Sequence, residues 1–305
     1  MGKTKIIVTG GNGLLGSPIV KDLKANTFSS SECDLRKDNF KDYIEKNFEA
    51  PDTIIHCAAR VGGVGAILNH NLEFFKDNIH IDNNVLSSCL EMGTENVVTI
   101  LSTCIFPDKV EYPLTAEKLD LGPPHHSNHG YAYAKRLLGY QTKMYRNVIK
   151  KNWISIVPTN LYGPKDNFDL ADSHLVPALI RKAYECSLDG SDFYVWGDGS
   201  PMRQFVYSED MSKIIQWAIE NWKSDKPLMA INEKEYSIKE VVNIISKRFN
   251  ISENRIKYDK TKPLGQLRKP AKSDIDWFDF TPLEEGINKT IDWFIENYNT
   301  SNIRL

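Results

Sequence analysis

The sequence predicts an α/β fold: a doubly wound parallel sheet flanked by helices, with a smaller C-terminal α/β lobe. Three features predict it. Short, near-continuously apolar runs alternate with longer amphipathic stretches through the first half of the chain. A glycine-rich string separates the first apolar run from the first amphipathic one. After Pro158 the pattern changes, and Pro, Gly, Asn and Asp punctuate residues 158–172 and 196–203.

The apolar runs are residues 5–9 (KIIVT), 53–58 (TIIHCA), 97–102 (VVTILS) and 153–158 (WISIVP). They lack the in-out alternation of a half-exposed strand and read as strands buried on both faces. Residues 14–24, 72–92 and 131–150 carry helical patterns between them. Strand, helix, strand, helix is the order of a doubly wound sheet. Helical patterns return at 175–185, 237–248 and 282–298. In the second of these, Ile238, Val241, Val242, Ile245 and Phe249 form one apolar stripe. This half reads as a smaller lobe interleaved with the last strands of the sheet.

Composition excludes several classes. A chain of 305 residues, 41% hydrophobic and 26% charged, builds a core without disulfide or metal staples. A net charge of -2 gives no basic excess for nucleic acid. Five cysteines, at 33, 57, 89, 104 and 186, form no CxxC pair, which predicts free thiols in a reducing compartment, the cytoplasm. Residues 1–8 hold no signal peptide, Ile6 stands where a myristoylation signal has Ser or Thr, and no apolar stretch is long enough for a membrane span.

The string Gly10-Gly11-Asn12-Gly13-Leu14-Leu15-Gly16 follows the first strand and opens a helix. Gly10, Gly13 and Gly16 fit one dinucleotide-binding spacing, and Gly11, Gly13 and Gly16 the other. Glycine allows a tight turn and close approach of backbone to a diphosphate, and the helix N-terminus supplies unpaired N–H groups. The sheet is therefore expected to be Rossmann-type. An acid ending the second strand would grip a ribose 2′-hydroxyl. Here three serines precede Glu32 and Arg36, which points to a 2′-phosphate and to NADP over NAD.

Tyr131 and Lys135 stand one helical turn apart on one face. A lysine ammonium beside a phenol is expected to lower its pKa from about 10, toward proton transfer near neutrality. Tyr258 and Lys262 share the spacing, but Pro263 follows them and they lie far from any strand end. Tyr131 instead opens a helix after a loop that follows the strand ending at Leu101-Ser102. A serine there can donate a hydrogen bond to a substrate carbonyl. In an extended segment, Cys104 would face the same side as Ser102, where a thiol could remove a proton from a carbon next to a ketone. His174 is a candidate acid for the opposite face.

These residues resemble the GDP-L-fucose synthase family of extended short-chain dehydrogenases. The matching strings are Ala58-Ala59 with Val61-Gly62-Gly63, residues 102–109 (STCIFPDK), Gly122-Pro123-Pro124, residues 131–135 (YAYAK) and Pro158-Thr159-Asn160. They continue through Gly163-Pro164 with Asp166-Asn167-Phe168, Ser173-His174, Val195-Trp196-Gly197 and Arg203-Gln204-Phe205, and together span nearly the whole chain. The resemblance implies an NADPH-dependent reductase of a GDP-linked 4-keto sugar that also inverts C3 and C5. Tyr131, Lys135 and Ser102 would serve reduction, and Cys104 and His174 epimerisation. Cofactor contacts would extend to Asp34, Leu35, Ala58, Ala59, Leu101, Ser102, Pro158, Thr159, Asn160, Leu161 and His174. Thr103, Asn160, Lys182, Trp196, Arg203 and Lys269 would touch the substrate. The resemblance also implies a homodimer built on helices near 78–92 and 131–150. It divides the chain into an NADP-binding domain, 1–165 plus about 204–232, and a GDP-sugar lobe, 166–203 and 233–305.

One departure stands out. Gly265, Arg268 and Lys269 fit the family pattern, but Leu264 replaces the substrate-contacting Asp. This leaves open a second reading, a C4-reductase of another GDP-4-keto sugar such as a 4-keto-heptose. A non-catalytic NADP(H)-binding regulator would be favoured by loss of Tyr131 or Lys135, and both are present. His125, His126 and His129 read as a solvated loop entering the site, with no thiol or carboxylate at metal-ligand spacing.

Overall fold

The computed structural model describes residues 5–262 and 266–305. The first half alternates as the sequence predicts. Strand β1 (Ile6–Thr9) leads through the glycine turn into α1 (Gly16–Leu23), and β2 (Asn26–Thr27) is only two residues long. Helix α2 (Phe40–Asn47) begins at Asn39, whose side chain accepts from the Asp42 amide. Then follow β3 (Thr53–His56), α3 (Val64–Asn69), α4 (Asn71–Glu91), β4 (Asn96–Ile100), α5 (His129–Ile149) and β5 (Asn152–Pro158). The second half runs β6 (Asn160–Tyr162), α6 (Leu175–Asp189), β7 (Phe193–Trp196), β8 (Met202–Tyr207), α7 (Ser208–Asn221), β9 (Leu228–Ala230), β10 (Glu235–Ser237), α8 (Ile238–Arg248), β11 (Ile256–Asp259) and α9 (Leu283–Asn297).

Six strands form one parallel sheet in the order β2-β1-β3-β4-β5-β9. Successive residues of each strand enter opposite cores, as a period of two requires. Ile7, Ile54, Val97 and Trp153 pack with Phe40, Ile44, Val85, Leu86 and Leu138 from α2, α4 and α5. Val8, Ile55, Val98 and Ile154 pack with Ile19 from α1 and with Met211, Ile214, Ile215 and Ala218 from α7. Both faces are covered, which is why these strands are apolar throughout.

The winding reverses between β1 and β3, because β1 leads outward to β2 while β3 returns on its other side. Open α/β sheets bind ligands at such a reversal, beyond the carboxyl ends of the strands. Parallel register brings the ends of β1, β3, β4 and β5 to that one edge.

Beside the large sheet stand a three-stranded sheet, β10-β8-β6, and a two-stranded parallel pair, β7 with β11. Helices α6, α8 and α9 enclose a core that includes Phe168, Phe193, Val241, Ile287 and Phe294. Helix α8 carries the predicted stripe, with Ile238, Val241, Val242 and Ile245 buried. A capping box of Ser237 and Glu240 starts it, a feature that stabilises a helix by about 1 kcal/mol. Strand β9 returns the chain to the large sheet beside β5.

Candidate active site

The glycine turn fixes the cofactor end of the site. Gly10 has φ +68°, and a Cβ on it would lie 2.8 Å from the Ala58 nitrogen. A Cβ on Gly16 would lie 2.3 Å from the Gly10 carbonyl oxygen. Gly11 is also required, since its Cβ would strike the Thr27 side chain. Sterics thus demand both glycines that the two spacings treat as alternatives. Gly13 differs: a Cβ there would meet only the Gly10 carbonyl, at 3.5 Å, so its role is to leave open space. Leu15, at the N-cap of α1, offers its first amides no side-chain cap. An open glycine face and an uncapped helix start fit a dinucleotide diphosphate.

The ribose end differs from the sequence expectation, which has the serines and Arg36 free. Arg36 gives its planar fork to Asp34, with Nε to Oδ1 and Nη2 to Oδ2 both at 2.8 Å. That guanidinium holds the Asp34 carboxyl down to about 2. The Ser29 hydroxyl donates to Glu32 and pairs with Ser31. Leu35 and Leu101 lie in the hydrophobic core, so only their backbones are placed to face a cofactor.

At the end of β4 the chain does not stay extended. Thr103–Ile105 forms a 3-10 turn capped by Ser102, whose Oγ accepts from the Cys104 amide at 3.2 Å. Ser102 and Cys104 are therefore brought together by a turn, not by strand alternation. Arg136 of α5 clamps this turn, donating through Nε to the Ile105 carbonyl at 2.9 Å and through Nη1 to the Gly122 carbonyl at 3.0 Å.

Tyr131 and Lys135 sit in the first two turns of α5. The phenol is pushed above its usual value, chiefly by burial, then by nearby Cys104 and Asp82, while Ser102 acts in the opposite direction. This reverses the lowering expected from the lysine. The chief reason is burial, and a carboxylate that sequence spacing does not reveal adds to it. Lys135 Nζ lies 3.4 Å from Asp82 Oδ1, with both side chains almost wholly buried, so its charge is largely answered within the interior. His56 Nε2 reaches the same oxygen at 2.9 Å. Tyr258 belongs to β11 and not to a helix, so the second Tyr/Lys spacing builds nothing similar.

Pro158 ends β5, and Thr159 beyond it is buried with no hydrogen-bond partner for its Oγ1 among the described residues. Asn160 Nδ2 donates to the Gln204 carbonyl at 2.8 Å, and Leu161 packs on the sheet core. His174 occupies the N-cap position of α6, where its side chain makes no capping bond. Its loop is pinned to the segment after β3: Gly63 N donates to the Asp172 carbonyl at 2.7 Å. Surrounding protein lowers the His174 pKa. Among the described residues, His174 makes no hydrogen bond to Cys104.

Lys269 approaches Cys104 and Asp108 together with Arg203 and Arg136. Burial lowers its pKa, opposed by Cys104 and Asp108. Its segment is held by Gln204, whose amide pairs with both backbone groups of Ala271 at 2.9 and 2.8 Å. Arg203, on β8, donates to the Met202 carbonyl. Trp196 is exposed at the end of β7, with Lys182 Nζ 5.3 Å and Lys262 Nζ 5.7 Å from its ring centroid. Leu264 and Gly265 lie outside the described residues. The loop histidines are not far from a carboxylate, as their spacing had implied: His125 Nε2 lies 3.9 Å from Asp108 Oδ1. Sequence reasoning missed Asp82, His56 and Arg136. A polar residue on the buried face of α4 and a histidine inside an apolar strand are the signals that mark the first two.

The NAD dependent epimerase/dehydratase family matches residues 6–238. A GDP-L-fucose synthase of Dictyostelium discoideum is 39% identical, over 98% of this chain and 98% of its own. One from Sinorhizobium fredii is 33% identical, over 96% of each. A GDP-L-fucose synthetase of Naegleria fowleri, solved bound to NADP, is 38% identical with a TM-score of 0.90, over 99% of this chain and 96% of its own. No helix among the described residues is long and apolar enough to cross a membrane. By this likeness along nearly its whole length, the chain belongs to the NAD dependent epimerase/dehydratase family and, within it, to the GDP-L-fucose synthase family.

Proposed function

We propose that the chain is an NADPH-dependent 3,5-epimerase and 4-reductase acting on GDP-4-keto-6-deoxy-D-mannose. The observation that carries this is the cluster at the end of β4, where Ser102, Cys104 and Tyr131 stand within interacting range of one another. A proton donor for reduction and a thiol thus stand at one site, as a bifunctional reaction requires.

NADP(H), when bound, supplies the hydride that reaches C4 of the sugar. Gly10 to Gly16, Ala58, Ala59 and Pro158 to Leu161 line the edge that holds it. Tyr131 gives a proton to O4 as the carbonyl is reduced, and the Ser102 hydroxyl donates to the same oxygen. Lys135 holds the cofactor ribose and supports the proton donor. For epimerisation, Cys104 removes the proton beside the ketone at C3 and C5, and His174 returns one on the opposite face. One proton leaves and one enters at each carbon, so that step is a net isomerisation. Lys269 and Arg203 supply cationic partners for the diphosphate, and Trp196 with Lys182 a platform for the base.

Residues 1–165 with about 204–232 serve as the NADP domain, and 166–203 with 233–305 as the GDP-sugar lobe. Free cysteines support a cytoplasmic location. An exposed stripe on α5 supports a homodimer. The second reading, a C4-reductase of another GDP-4-keto sugar, is favoured by Leu264 where the family carries Asp.

The test is NADPH oxidation with GDP-4-keto-6-deoxy-D-mannose. Tyr131→Phe is expected to slow reduction by ~10²-fold or more. Cys104→Ser should block reaction from this substrate but still reduce an already epimerised one. A Tyr131→Phe enzyme at the wild-type rate would overturn the assignment of the pair.

A further inference from the structure

Beneath Tyr131 and Lys135 lies a buried polar chain that the roles above do not use. It begins at the backbone, where the Ala58 amide donates to Thr9 Oγ1 at 3.1 Å. Thr9 Oγ1 lies 2.7 Å from His56 Nδ1. The threonine oxygen already accepts from an amide, so its own hydrogen is available to the imidazole, and the network assigns the proton of His56 to Nε2. That Nε2 donates to Asp82 Oδ1 at 2.9 Å, and Lys135 Nζ donates to the same oxygen at 3.4 Å. The His56, Asp82 and Lys135 side chains are only 0%, 2% and 3% exposed, so water does not weaken the pairing. Four elements contribute one member each: β1, β3, α4 and α5. Burial also lowers the pKa of His56, which keeps the imidazole neutral.

A chain that ends on a backbone amide has no onward route for a proton at that end. It can fix geometry and charge, but it is not a wire to solvent. We propose that Asp82, braced by His56, is a positioning residue: it holds the Lys135 ammonium in place and supplies its counter-charge in a dry interior. The proposal rests on Lys135 and Tyr131 being the reduction pair. His56 faces Asp82 from β3, and Lys135 and Tyr131 face it from α5. Cys57, just past β3, faces Lys135, and Cys104, from the turn after β4, faces Tyr131.

The experiment measures kcat and KM against pH for the full chain with NADPH and GDP-4-keto-6-deoxy-D-mannose. Asp82→Asn keeps the shape and removes the charge. Lys135 is then left buried without a counter-charge, and Tyr131 loses a negative charge that raises its phenol. The basic limb of the kcat profile is expected to move to lower pH by about one to three units. At the optimum, kcat should fall by ~10- to 100-fold, with the sugar KM changed less than about threefold. Asp82→Glu restores the charge and should return the limb to its wild-type position. His56→Leu removes the brace but leaves the charge, and should lower kcat by about threefold to tenfold without moving the limb. A wild-type kcat profile in Asp82→Asn overturns the proposal. Should that variant not fold, an unchanged kcat in His56→Leu overturns it instead. Tyr131→Phe in the same assay separates the two ideas. If it is active, the reading of the pair fails; if it is inactive while Asp82→Asn is pH-silent, only the role of Asp82 fails.

Discussion

Arg36 has two possible partners for one guanidinium. In this structure the fork is closed on Asp34, in a pair that is 44% exposed on the arginine side. Exposed ion pairs contribute only about 0–1 kcal/mol, so leaving Asp34 costs little. A phosphate carries more charge than a carboxylate and suits the same planar fork, so a 2′-phosphate can displace the acid. Arg36→Ala should therefore raise the KM for NADPH by about tenfold and leave that for NADH nearly unchanged. Equal effects on both cofactors would show that Arg36 does not read the phosphate. At this scale the sequence reveals what is local. The glycine turn and the Tyr131/Lys135 spacing lie within single short strings. His56, Asp82 and Arg136 do not, since their partners lie 26, 53 and 31 residues away. Without the burial of Tyr131 and the Asp82 partner of Lys135 in view, the lysine looks free to lower the phenol, and the direction comes out reversed.

Helix α5 has two working faces. Inward, Ala132, Lys135, Leu138 and Thr142 are buried. Outward, Tyr133, Leu137, Tyr140, Met144 and Val148 follow one another at helical spacing and remain exposed, Val148 at 79%. Helix α4, packed alongside, adds exposed Leu72 and Phe75. Exposed apolar side chains along two packed helices mark an interface more often than a solvated surface. Charges at its most exposed end, in Met144→Glu with Val148→Glu, should convert the proposed homodimer to monomer in light scattering after size exclusion, with the helical signal kept. A monomeric wild-type chain would contradict the dimer. Elements with one clear period are legible in sequence. β1, β3, β4 and β5 are continuous apolar runs, and α8 carries Ile238, Val241, Val242 and Ile245 at helical spacing. β2 is too short to show a period, and α2 buries only Phe40 and Ile44. The turn at Thr103–Ile105 looks extended in sequence because its cap, Ser102, reads equally well as a strand end.

At the scale of the whole molecule, the reversal of winding between β1 and β3 gathers four strand ends at one edge. The alternation of apolar and amphipathic segments makes this much legible. The partnership of the second lobe with that edge is not, because Gln204 holds the Lys269 segment across 67 residues of sequence. The result is a site with a proton donor, a thiol and a cationic rim, at which one ketone would be both epimerised and reduced. The most direct test is to supply GDP-4-keto-6-deoxy-D-mannose and NADPH in D2O and locate deuterium in the reduced sugar. A reduced product labelled at both C3 and C5 is predicted. Reduction with no deuterium at either carbon would contradict the claim and leave a C4-reductase.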